Sequence, residues 1–152
     1  MAYTQPYLKV LDTTTQAIAV ADTEQVVTFN TTTLANKIAV TSSSRFTVNE
    51  AGNYNAIVNF QLTGSGANKV HSLWFKINGT NVANSNSQNE IVNSNDSKDI
   101  SHSESFPMTA GQYLEVWRSG DATTLSLVAT GTQVTPTRPA PPSISLILVK
   151  LP

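Results

Sequence analysis

The chain has no cysteine, which excludes disulfides and thiolate metal sites. It is poor in charge. Asp, Glu, Lys and Arg together make up 12% of residues, against about 25% in an ordinary domain. The formal net charge is -1 and no basic run stands out, so a nucleic-acid partner is not expected. No apolar run is long enough to span a bilayer, and no membrane partner is expected. The opening residues, Met1 to Pro6, lack the basic stretch and apolar run of a secretion signal. Synthesis in the cytoplasm follows as the expectation. Helical periodicity is missing as well: no segment repeats apolar residues at three and four positions.

Thr, Ser and Asn stand where charge would be, and they favour strands and turns over helices. At 152 residues the chain suits one domain that buries about 70% of its unfolded surface. The last apolar stretch, Ser143 to Leu151, reads as a strand. One face carries Ile144, Leu146 and Leu148; the other carries Ser145, Ile147 and Val149. Bulk on both faces calls for cover on both. That cover comes either from one domain or from a neighbouring subunit.

The rest of the chain supplies about ten short strands with turns between them. Tyr54 to Leu62 alternates most clearly, with Tyr54, Ala56, Val58, Phe60 and Leu62 on one face. Val70 to Ile77 runs into Asn78-Gly79, a strong hairpin signal. Gln112 to Arg118 puts Leu114 and Val116 on one face, and Tyr113, Glu115 and Trp117 on the other. Asn84 to Ser105 is polar, and reads as a long surface loop or a weak edge strand. Thr135 to Pro142 reads as a stiff extended loop. The first residues, 1–16, hold one small apolar patch, Tyr7 to Leu11, and read as an N-terminal arm before a domain at 17–152. The pattern predicts an all-β sandwich or jelly roll.

Little chemistry shows. His102 lies near Ser103, Glu104 and Asp99, but no nucleophile-elbow motif accompanies them. Asp96 and Asp99 lack the spacing of a calcium loop. Trp74 and Trp117 offer flat platforms for a sugar ring, although both sit inside strands. No catalytic group, metal or cofactor is expected.

Several segments, in order, resemble the C1q/tumour-necrosis-factor superfamily. Phe46-Thr47-Val48 with Gly52-Asn53-Tyr54 is similar to its F-x-V…G-x-Y pattern. Thr109 to Val116 resembles its A-G-D-x-V-x-L segment, with Gln112 in place of the acidic residue. Phe75 to Thr80 resembles its K-N-G hairpin, and Ser145 to Val149 its closing strand. The resemblance implies a ten-stranded antiparallel jelly roll assembling as a homotrimer. The chain looks more like the C1q-like modules of bacteriophage virion proteins than like the family's secreted members. In that reading Leu114, Val116, Leu146 and Leu148 face the core with the Tyr54 face. Ile57, Tyr113, Trp117, Ile147 and Val149 form one apolar trimer interface on the opposite side. The implied role is structural, not enzymatic: a capsid decoration or cement protein in the virion, bound to the major capsid protein or another virion protein. Tyr7, Leu8, Val10 and Leu11 of the arm would dock it. The alternative is a receptor-binding knob or lectin-like module with a surface glycan as partner.

Overall fold

The computed structural model describes residues 4–152. Among these the chain forms strands and turns and no helix. In chain order the strands are β1 (Tyr7–Asp12), β2 (Gln16–Ala17), β3 (Gln25–Val26), β4 (Thr31–Asn36), β5 (Ile38–Ser42) and β6 (Arg45–Val48). Then come β7 (Gly52–Gly64), β8 (Lys69–Ile77), β9 (Thr80–Asn81), β10 (Ser87–Ile91) and β11 (Ser97–Met108). The last are β12 (Tyr113–Gly120), β13 (Leu125–Leu127), β14 (Gln133–Val134), β15 (Thr137–Arg138) and β16 (Ile144–Lys150). Ten of these have four residues or more.

Two antiparallel sheets pack in a sandwich-like arrangement. The first runs β2-β13-β7-β16-β1-β4, with β11 on the other edge of β7. The second runs β10-β8-β12-β6-β5, with β3 against β12 and β9 against β8. Alternation explains both inner faces. Along β7 the residues Tyr54, Ala56, Val58, Phe60 and Leu62 are buried, and across β16 so are Ile144, Leu146 and Leu148. The second sheet answers with Phe46, Leu73, Phe75, Leu114 and Val116. Each such side chain contributes about 1.5–3 kcal/mol relative to exposure. The expected core faces of the β7, β12 and β16 strands are therefore the observed ones.

Local chemistry sets the corners. Asn78 and Gly79 take φ of 49° and 78°, the two positive values a tight hairpin turn needs. They return β8 onto β9, with Ile77 opposite Thr80. Lys37, at φ 54°, turns the chain from β4 in the first sheet to β5 in the second. Leu125 wedges between two glycines: a Cβ at Gly64 would meet it at 2.9 Å, and one at Gly120 at 2.8 Å.

Three expectations need correction. Of the arm over 1–16, the stretch from Tyr7 to Asp12 is part of the domain. β1 lies between β16 and β4 and hydrogen-bonds to both. Leu8 and Val10 are 1% exposed and sit in the core, so neither is available for docking. Five apolar or amphipathic residues in a row were enough to make an interior strand once two neighbours supplied ladders. Residues 1–3 of the proposed arm lie outside the described residues. Next, the loop alternative for Asn84 to Ser105 falls and the edge-strand alternative stands: β11 pairs β7 along its whole length at the edge of the first sheet, and β10 pairs β8. Asp99, Ser101, Ser103 and Ser105 face out, while Ile100, His102, Phe106 and Met108 lie on the inward side. Finally, the proline-rich loop contains a small exposed hairpin, β14–β15.

Candidate functional site

The five proposed interface residues fall on two different surfaces. Ile57 and Ile147 are cross-strand neighbours on the outer face of the first sheet, and Val149 stands opposite Asn55 beside them. Tyr113 and Trp117 belong to β12, at the heart of the second sheet. They point outward on the opposite side of the sandwich. One patch cannot hold all five. Period-two alternation gave the outward faces correctly, but it could not say which strands shared a sheet.

On the first sheet the outer face is apolar toward one edge. Register sets Leu34, Lys9, Ile147, Ile57 and Ser103 in one row across β4, β1, β16, β7 and β11. The next row is Asn36, Tyr7, Val149, Asn55 and Ser105. Leu11 follows on β1, opposite Ser145. Leu34 is 55% exposed and Tyr7 41%; Leu11, Ile57, Ile147 and Val149 are half-buried. Serines 101, 103 and 105 close the patch on the β11 side. Tyr7, Leu11 and Leu34 were missed as members. Their signal was present: Tyr7 to Leu11 has bulk on both faces, as the final strand does.

The outer face of the second sheet is built differently. The Lys76 ammonium sits 3.9 Å from the Trp117 ring centroid and donates to both carboxylate oxygens of Glu24 at 2.8 and 2.9 Å. Glu115, only 4% exposed, accepts from Arg45 Nε at 3.0 Å and from Trp117 Nε1 at 3.2 Å. The hydrogen bond from Arg45 to Glu115 raises the Arg45 pKa further above its ordinary value. The Arg45 guanidinium lies 4.6 Å from the Tyr113 ring centroid. The two buried charges, Lys76 and Glu115, thus each meet a more exposed partner of opposite charge, as buried charges must. They pin the segment around β3 to the sheet. Charged residues inside two strands of a charge-poor chain were the overlooked clue.

Comparison with protein-family models and with curated proteins finds no match to this chain. The geometry carries the reading.

His102 and Ser103 do not meet. The His102 ring stacks on Phe75, with centroids 5.6 Å apart, and its Nε2 lies 2.8 Å from the Ser85 carbonyl. Ser103 faces solvent from the other side of β11. Asp96 Oδ2 accepts from the backbone N–H and side-chain amide of Asn93, closing the turn before β11. Among the described residues no group of three His, Asp or Glu could hold a metal ion.

Between the sheets lies a buried polar pair. Arg118 Nη2 donates to the carbonyls of Gln16 and Ala17 at 2.8 and 2.7 Å, tying β2 to the second sheet. Among the described residues, Arg118 Nε and Nη1 and both ring nitrogens of His71 have no hydrogen-bond partner. Burial, and then the Arg118 charge, push the His71 pKa down to about 3. Burial pushes Arg118 down to about 10.

Proposed function

We propose that this chain is a C1q/tumour-necrosis-factor-like jelly-roll module that assembles as a homotrimer and serves as a structural protein of a bacteriophage virion. One observation carries the assembly reading: the apolar outer face formed by Tyr7, Leu11, Leu34, Ile57, Ile147 and Val149. The order of strands supports the jelly-roll reading. β6, β7 and β8 alternate between the two sheets, as do β11, β12 and β13, while β9 and β10 stay beside β8 in the second; two packed antiparallel sheets are the frame of a jelly roll. Soluble monomers rarely leave contiguous apolar patches uncovered, and closed symmetry covers this one without propagating. Each buried side chain contributes about 1.5–3 kcal/mol before association costs.

The virion role rests on the resemblance to phage modules. In that role the trimer decorates or cements the head shell, binding the major capsid protein through surfaces other than the association face. The mechanism is mechanical: one rigid sandwich per protomer, tied at a symmetric point. Copy number in purified particles, measured by mass spectrometry, tests it. Copies on the scale of the shell's own subunits support decoration. A few trimers per particle favour a receptor-binding knob, and absence from the particle refutes both.

A further inference from the structure

We propose that a groove walled by Trp74, on the outer face of the second sheet, binds a neutral saccharide. Its floor is sheet: Trp74 and Ser72 on β8, with Ser119 directly across from Ser72 on β12. The side wall is the 82–86 loop, which brings Asn84 and Asn86 into the lining, and Asn81 completes it. The groove holds about 310 Å³, at the small end of ligand sites and suited to one sugar ring.

The lining selects the ligand class. Its eight residues are one tryptophan, three asparagines, three serines and a valine, with no charged group. A pyranose has an apolar C–H face that stacks on an indole. Its hydroxyls both donate and accept, and each asparagine amide offers both functions in return. A charged sugar would meet no counter-charge. A purely apolar ligand would bury amides and hydroxyls without partners, at a cost for each.

The site is held in place before any ligand arrives. Trp74 Nε1 donates to Asn81 Oδ1 at 2.9 Å, fixing the indole and leaving the Asn81 amide nitrogen as a donor. Ser85, 1% exposed, anchors the loop. Its hydroxyl donates to the Val82 carbonyl at 2.8 Å and accepts from the Phe75 N–H at 3.1 Å. Preorganisation of this kind lowers the cost of binding. The groove also lies on the sheet opposite the apolar face. A trimer joined through that face would present three such grooves and gain avidity. That valence rests on the assembly reading; the single-site affinity does not.

The test is a titration of the ¹⁵N-labelled full chain, followed by two-dimensional NMR, with glucose, galactose, mannose and N-acetylglucosamine added separately. At least one should shift the Trp74 indole signal and the side-chain amides of Asn81, Asn84 or Asn86. Trp74→Ala should then weaken binding by at least about tenfold. Asn86→Ala, at an exposed position, should weaken it several-fold with the fold intact, and it serves as the test if Trp74→Ala does not fold. Three outcomes overturn the proposal: no neutral sugar moves these signals, binding survives both substitutions unchanged, or only the acidic N-acetylneuraminic acid binds.

Discussion

The two outer faces of the sandwich solve the same problem in opposite ways. Both carry large side chains that alternation forces away from the core. On the second sheet, Trp117, Lys76, Glu24, Glu115, Arg45 and Tyr113 pair with one another through hydrogen bonds, ion pairs and ring contacts. Around Trp117 that face is complete within one protomer. On the first sheet, Ile57, Ile147, Val149 and Leu34 face outward with Lys9, Asn55 and Ser103 among their cross-strand neighbours, and aliphatic side chains cannot pair with these as charged ones do. Exposed bulk is therefore no guide to assembly by itself. What matters is whether a face finishes its own interactions.

The largest expected effect comes from breaking the unfinished face. Ile147→Asp puts a charge in the middle of the association row, where burial without a partner is costly. We expect loss of the trimer at micromolar concentration with a folded monomer remaining, read by light scattering and circular dichroism. Trp117→Asp should do the reverse: it lowers thermal stability and leaves the association state of the folded fraction unchanged.

Acid separates folding from either face. The folded His71 pKa of about 3 lies below its unfolded value of about 6.5. The unfolded state therefore takes up the proton first. The stabilisation is fully present above pH about 6.5 and is lost as pH falls toward 3. We expect a few kcal/mol, at about 1.4 kcal/mol per pKa unit. Urea midpoints measured across that range would show it, and His71→Leu should flatten His71's share of the slope.

A smaller effect sharpens the contrast from the other side. Glu115→Ala leaves Arg45 and Trp117 without their shared acceptor. A loss of about 1–3 kcal/mol in unfolding free energy is expected, with sedimentation unchanged. The smallest effect should be Ser101→Ala, at the polar edge of the first sheet. It lies within about 0.5 kcal/mol in stability and leaves assembly as it was.

Much of this was legible in the sequence. The β class, the inward faces of Tyr54 to Leu62, Leu114 to Val116 and Ile144 to Leu148, and the Asn78-Gly79 hairpin all follow from period two and turn chemistry. Sheet membership did not follow. Tyr113 and Ile147 look alike along the chain, and only long-range pairing separates them. The start of the chain misled for a related reason. Tyr7 to Leu11 is too short to announce an interior strand, and its place is set by β16, more than 130 residues away. The Lys76–Glu24 and Arg45–Glu115 pairs join residues 52 and 70 positions apart, so no local pattern reveals them.

In the proposed assembly, copies of the same chain cover the apolar outer face of the first sheet. Sedimentation equilibrium on the unmodified protein, over a micromolar concentration series, tests this most directly. The predicted result is a single species of three times the 16.3 kDa chain mass, converted to monomer by Ile147→Asp and untouched by Glu115→Ala. A stable monomer throughout the series would contradict it.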